Sequence, residues 1–151
     1  MSIRTLQLSK DNLSTFVDVM WRNDFCVDKS MKKKEYFNGF MWWIKTLSSE
    51  SFYHIMLDDE IIGILSLRDK GNNFKMITMI CIDGKHRFKG YGKQVIDWVK
   101  STLEDRHDKL WVDIDVSQPT KNDLFKYYLK QGFNFDIINP DDGNILMKYV
   151  K

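Results

Sequence analysis

Residues 81–100 read CIDGKHRFKGYGKQVIDWVK, and the fold turns on this stretch. Apolar residues run up to Cys81 and Ile82, and a second apolar pattern begins at Val95. Two of the chain's eight glycines, Gly90 and Gly92, stand between them among Arg87, Lys89 and Lys93. Strand, basic glycine turn and helix follow in that order. Glycine lets backbone approach a ligand closely and adopt positive φ. The helix behind it offers unpaired N–H groups and the positive end of its dipole, which together attract phosphate. Arg87, Lys89 and Lys93 add charge-assisted donors. Spacing alone leaves two readings open, an anion-binding turn and a solvated connection that carries lysines. The turn is not a Walker loop, because no Gly-Lys-Ser/Thr follows at the required offset. It also lacks the third glycine of a dinucleotide fingerprint.

Upstream, FKMITMICI (74–82) is too apolar for an edge strand and predicts a central strand buried on both faces. FYHIML (52–57) and IIGILSL (61–67) flank Asp58-Asp59-Glu60 and predict a hairpin. The N-terminal IRTLQL (3–8) reads as a first strand, after which Ser9 is placed to cap a helix carrying Leu13, Phe16, Val17, Met20 and Trp21. A second helix after Ser30 gathers Phe37, Phe40, Met41, Ile44 and Leu47 on one face, widened by Met31, Trp42 and Trp43. Gly39 weakens it slightly.

Downstream, Val95, Ile96, Val99 and Leu103 define a third helix. LWVDIDV (110–116) alternates strictly, with Val112, Ile114 and Val116 on one face and Trp111, Asp113 and Asp115 on the other. Leu124, Phe125, Tyr128 and Leu129 mark a fourth helix, ended by Gly132. FNFDII and NILMKYV, joined through Asp141-Asp142-Gly143, close the chain as a hairpin. The order β-α-α-β-β-β-α-β-α-β-β predicts one α/β (α+β) domain over residues 1–151, a mixed, mostly antiparallel sheet of seven strands with helices on both faces.

Composition narrows the function classes. A chain of 151 residues with 43% hydrophobic and 14% aromatic residues suits one domain with a substantial core. A net charge of +2 is mild for a nucleic-acid binder, and the Lys32–Lys34 run reads as a solvated helix start. No signal peptide or membrane span is evident, so Cys26 and Cys81 read as reduced thiols of a cytoplasmic protein. His54, His86 and His107 lack metal-ligand spacing, and no metal is expected.

Two motifs together carry a family resemblance. Arg87-Phe88-Lys89-Gly90-Tyr91-Gly92 fits the Arg/Gln-x-x-Gly-x-Gly/Ala turn of the GCN5-related N-acetyltransferases, and Tyr128-x-x-x-Gly132-Phe133 resembles a second element of that family. The element order over nearly the whole chain is similar as well. The resemblance implies acetyl-CoA as acetyl donor and a primary amine as acceptor. It places the pyrophosphate on the backbone from Arg87 to Lys93, through Phe88, Lys89, Gly90, Tyr91 and Gly92. It lays the pantetheine arm along Ile80, Cys81 and Ile82, with an N–H near Ile82 facing the oxyanion. It makes Tyr128 the acid that protonates the thiolate, and Asp115 or Asp113 the base, directly or through water.

A base is needed because a lysine-like amine is neutral in only about one molecule in a few thousand at pH 7. Two acids on one strand face raise each other's pKa. His54, Glu60 and Asp83 are lesser candidates. An acyl-carrying Cys81 is disfavoured by its apolar strand. The sequence departs from the pattern at Gly84, where relatives have proline, and at Lys121, where they have an asparagine. Asn122, one place later, is the substitute contact. Tyr36, Trp42 and Trp43 offer an aromatic wall for the acceptor, and the last hairpin offers an edge for a homodimer. A binding module that kept the fold without turnover, and a nucleotide-binding protein using the same turn, are the competing classes.

Overall fold

The computed structural model describes residues 3–9, 13–24, 30–47, 50–69 and 73–151. Its elements run β1 (Arg4–Gln7), α1 (Ser14–Arg22), α2 (Lys33–Thr46), β2 (Glu50–Leu57), β3 (Glu60–Asp69), β4 (Phe74–Ile82), α3 (Tyr91–Ser101), β5 (Lys109–Ile114), α4 (Lys121–Lys130), β6 (Asn134–Ile138) and β7 (Ile145–Val150). A 3-10 turn, Gly84–His86, lies between β4 and α3. This is the expected order. The strands form one mixed sheet in the sequence β1-β2-β3-β4-β5-β7-β6. β4 and β5 are parallel, while β1 with β2, β5 with β7 and β6 with β7 are antiparallel.

The chain resolves into two compact units, Met1–Leu67 with Met79–Val95, and Arg68–Thr78 with Ile96–Lys151. In the first, Leu13, Phe16, Val17, Val19 and Met20 of α1 and its entry pack with Tyr36 and Ile44 of α2, Phe52, Ile64 and Met79. Phe16 meets Phe52 edge to face at 5.2 Å, a pairing worth about 1 kcal/mol beyond its buried area. Phe37, Phe40, Met41 and Leu47 lie partly buried against this core, which is the helix face expected. Trp42 and Trp43 do not widen it: they point outward, Trp42 at 70% exposure. Tyr36, expected in an acceptor wall, is instead core at 1% exposure, packed on Trp21, Phe37 and Phe40. A helix turns about 100° per residue, so Tyr36 shares the face of Phe40 and Ile44, Trp43 stands at its edge and Trp42 on the opposite side.

Ser9 does not cap α1, which starts at Ser14. Leu13 is fully buried and already α-like, and its carbonyl accepts the Val17 N–H at 3.0 Å, so burial of Leu13 sets the helix start. β2 and β3 are joined through Asp58 and Asp59, with Asp58 at φ 53, as a tight hairpin requires. β4 is central but not buried on both faces. Ile77 and Met79 are buried, whereas Met76, Thr78, Ile80 and Ile82 are half-buried.

The second unit buries Ile96, Val99 and Leu103 with Leu110, Val112 and Ile114 of β5, then Tyr128, Phe133, Leu146 and Met147. The alternation of β5 holds from Lys109 to Ile114 and stops there, so Val116 and Asp115 lie beyond the strand. Asp136 sits at the register break of β6 between Phe135 and Ile137. From there its carboxylate accepts the Trp111 Nε1–H at 2.8 Å and pairs with Lys109 and Lys148 at 3.4 and 3.6 Å.

Candidate active site

The basic turn follows β4 directly. Arg87 Nε donates to the Ile82 carbonyl at 2.8 Å, tying the turn back to the strand end. Phe88 and Gly90 both take positive φ, 62° and 84°. The Gly90 carbonyl then accepts the Gln94 N–H at 3.2 Å and begins α3, which Val95 anchors in the core. A Cβ built on Gly90 meets nothing within 4 Å, so the backbone here faces open space. Arg87, Lys89 and Lys93 are exposed around it. First-turn N–H groups of an α-helix have no intrahelical partner. Open backbone, helix start and three cations therefore fit a diphosphate.

The end of β4 is shaped by β3. Asp83 N–H donates to the Ile62 carbonyl at 2.7 Å, and a Cβ on Gly63 would stand 2.3 Å from the Cys81 carbonyl oxygen. No other residue type allows that approach. Ile80, Cys81 and Ile82 are half-buried. Burial pushes the Cys81 thiol pKa up, and Arg87 only partly offsets it, so the thiol stays protonated. Cys26 lies outside the described residues.

The two acids and the histidine expected as lesser bases are already engaged. Asp83, buried at 6% exposure, accepts Arg22 through both oxygens and Asn23 Nδ2 at 2.6 Å. Glu60 pairs with Lys85 at 2.7 Å and lies 3.4 Å from His86. His54 Nε2 meets Thr15 Oγ1 at 3.0 Å, and burial, with the Arg22 charge, lowers its pKa. Arg22, Asn23, Asp59, Glu60, Ile61, Asp83, Gly84 and Lys85 line a cleft of about 550 Å³. Its opposite charges largely neutralise one another, and sequence patterns held no sign of the Arg22–Asp83 pair.

In the second unit, β4 pairs with β5 from Phe74–Lys109 to Ile77–Val112. β5 continues against β7, with Asp113 opposite Leu146 and Ile114 opposite Ile145. Asp113 is half-buried, and burial raises its pKa, helped by Asp142 and Asp115 and opposed by Asn144 and Arg68. Asp115 behaves oppositely. Its carboxylate accepts the Ser117 hydroxyl at 2.7 Å and the Ser117 N–H at 2.9 Å, which lower its pKa. The strand-face pair therefore splits into one perturbed acid and one turn-capping acid.

Tyr128 is buried at 5% exposure, and burial, with Tyr127 beside it, raises its pKa and keeps the phenol protonated. Its position is set by the end of α4. Gly132, at φ 90, donates to the Leu129 carbonyl, and Phe133 N–H returns to the Tyr128 carbonyl at 3.0 Å. The Phe133 ring then meets Tyr128 at 5.6 Å. Tyr-x-x-x-Gly-Phe is thus a complete left-handed helix cap with its apolar contact. Asn122 lies exposed in the first turn of α4. Among the described residues no group of three or more His, Cys, Asp or Glu is placed to hold a metal, and no helix is long and apolar enough to cross a membrane.

Fold and turn together suit a domain that binds a diphosphate-bearing ligand at the head of α3. The profile described as the Acetyltransferase (GNAT) family matches residues 15–133, and the chain belongs to that family. No curated protein sequence matches it. Among solved structures, an acetyltransferase from Thermus thermophilus is similar with a TM-score of 0.78 at 11% identity, covering 100% of this chain and 98% of that one. The PaiA N-acetyltransferase of Thermoplasma acidophilum, in complex with coenzyme A, has a TM-score of 0.67 at 17% identity, with 100% of both chains covered. A GNAT family acetyltransferase from Elizabethkingia anophelis with acetyl-CoA bound has a TM-score of 0.69 at 15% identity, covering 99% of each. The protein is an N-acetyltransferase by family, with acetyl-CoA as its donor.

Proposed function

We propose that this chain transfers an acetyl group directly from acetyl-CoA to a primary amine. The observation that carries the reading is the open, left-handed Gly90 at the head of α3, flanked by Arg87, Lys89 and Lys93. The backbone from Arg87 to Lys93 holds the diphosphate, and Ile80, Cys81 and Ile82, beyond the residues β4 pairs with β5, offer backbone groups to the pantetheine arm. Asn122 supplies a side contact. Bound there, acetyl-CoA supplies an activated thioester carbonyl.

The chain's own groups manage the protons. Asp113, whose raised pKa makes it the better proton acceptor of the two aspartates, takes one from the ammonium, directly or through water. Asp115, held by Ser117, supports it through charge. Tyr128, kept protonated by burial, gives a proton to the departing sulfur and regains one from the second proton that the nitrogen sheds as the amide forms. A cytoplasmic setting suits a donor made inside cells. The exposed Phe135, Ile137 and Ile138 of edge strand β6 support pairing with a second copy.

Thiol release from acetyl-CoA, measured with a panel of primary amines, tests the reading. Wild type should turn over at least one amine, and Tyr128→Phe should lower kcat about a hundred-fold with acetyl-CoA affinity unchanged. Binding without turnover of any amine in the panel contradicts the enzymatic reading and favours a binding module.

A further inference from the structure

Phe88 combines two features that seldom coincide. Its backbone lies at φ 62, in the left-handed region that favours glycine and is a genuine outlier for a bulky side chain. Its ring is 104% exposed, so it makes no packing contact that compensates. A costly conformation that presents an apolar ring wholly to solvent points to a ligand of that ring. The residue sits inside the turn read above as the diphosphate cradle, and the inference rests on that reading. In coenzyme A the adenine base is tethered to the diphosphate through a single ribose. A ligand held on Gly90 and the start of α3 therefore carries its base to the neighbourhood of Phe88. Every nucleobase has a π face, and an exposed aromatic ring is a platform for it. Lys89, exposed next to it, suits the 3′-phosphate of the same nucleotide.

We propose that Phe88 is the adenine platform of this enzyme, a specificity residue that selects the full coenzyme over its pantetheine fragment. Calorimetric titration with CoA and with 4′-phosphopantetheine tests it, using wild type, Phe88→Leu and Phe88→Trp. Phe88→Leu keeps the backbone strain and the apolarity but loses the ring. It should weaken CoA binding about ten-fold or more while the affinity for 4′-phosphopantetheine stays at the wild-type value. Phe88→Trp should restore CoA binding. A thermal scan of Phe88→Gly completes the set: a Tm equal to or above wild type is expected, because the ring makes no fold contact. Equal CoA affinity in wild type and Phe88→Leu, equal losses for CoA and the fragment, or a Tm fall of several degrees in Phe88→Gly would each overturn the proposal. Failure of wild type itself to bind CoA would instead overturn the reading of the turn.

Discussion

Arg22 grips Asp83 at two points, Nη2 to Oδ2 at 2.5 Å and Nε to Oδ1 at 3.1 Å, and so fastens the last turn of α1 to the residue that follows β4. The same guanidinium donates to the Ile61 carbonyl at 3.0 Å. The Arg22 side chain is 41% exposed and that of Asp83 only 9%, which places the pair between surface and buried behaviour. Arg22→Ala should then cost about 2 kcal/mol, more than an exposed pair and less than a fully buried one. Thermal unfolding reads this as a Tm lowered by about 4–8 °C. Arg22→Lys, which lacks the two-point fork, should recover only part of it.

Three glycines should respond to alanine in three ways. Gly63→Ala drives a Cβ into the Cys81 carbonyl oxygen and should cost about 1–3 kcal/mol while raising the KM for acetyl-CoA. Gly132→Ala must adopt φ 90 at the cap of α4 and should cost about 1–2 kcal/mol. Gly39→Ala, inside α2 with nothing within 4 Å, should gain about 0.5–1 kcal/mol. Denaturant unfolding of the three variants checks the order.

Asp136 should govern stability in acid. Burial works against its charge, but the Trp111 hydrogen bond and the charges of Lys109 and Lys148 outweigh it and hold the carboxyl below its usual range. A depressed folded pKa gives stability that is present above the ordinary carboxylate value and is lost as pH falls through the folded value. Asp136→Asn should therefore be less stable than wild type at pH 7, and the gap should close as pH falls below the ordinary carboxylate value and through the depressed folded one. A gap independent of pH would mean that shape, not charge, matters there.

Asp113 should show the opposite sign. Its raised pKa means that the folded chain holds the proton more tightly, so ionisation costs stability as pH rises from the ordinary value through the raised one. Asp113→Asn should raise the Tm at pH 7 but lower kcat/KM about a hundred-fold, with loss of the acidic limb of the pH–rate profile. Asp115→Asn should keep that limb.

The sequence order of elements, the hairpins and the cap at Gly132 were legible because each has local chemistry: period, turn residues, a left-handed glycine. The limits came where tertiary contacts override local signals. The alternation of β5 runs on chemically to Val116, yet the Asp115 carboxylate prefers Ser117 and ends the strand. Ser9 looked like a helix cap, and buried Leu13 moved the start. Three aromatics in α2 were alike in sequence, and only packing separates buried Tyr36 from outward Trp42 and Trp43. The left-handed turn at Gly90 and the packing of Tyr128 against the cap of α4 were readable, whereas the Arg22–Asp83 pair, the Gly63 contact and the strained Phe88 rest on geometry that no local pattern encodes.

Calorimetric titration of acetyl-CoA and of ATP into wild type and Gly90→Val tests the central claim most directly. Valine cannot easily adopt φ 84 and would fill the space its backbone faces. The account predicts that wild type binds acetyl-CoA in preference to ATP and that Gly90→Val, still folded by its thermal transition, loses at least about ten-fold in affinity. Undiminished acetyl-CoA binding by folded Gly90→Val, or tighter binding of ATP by wild type, would contradict it.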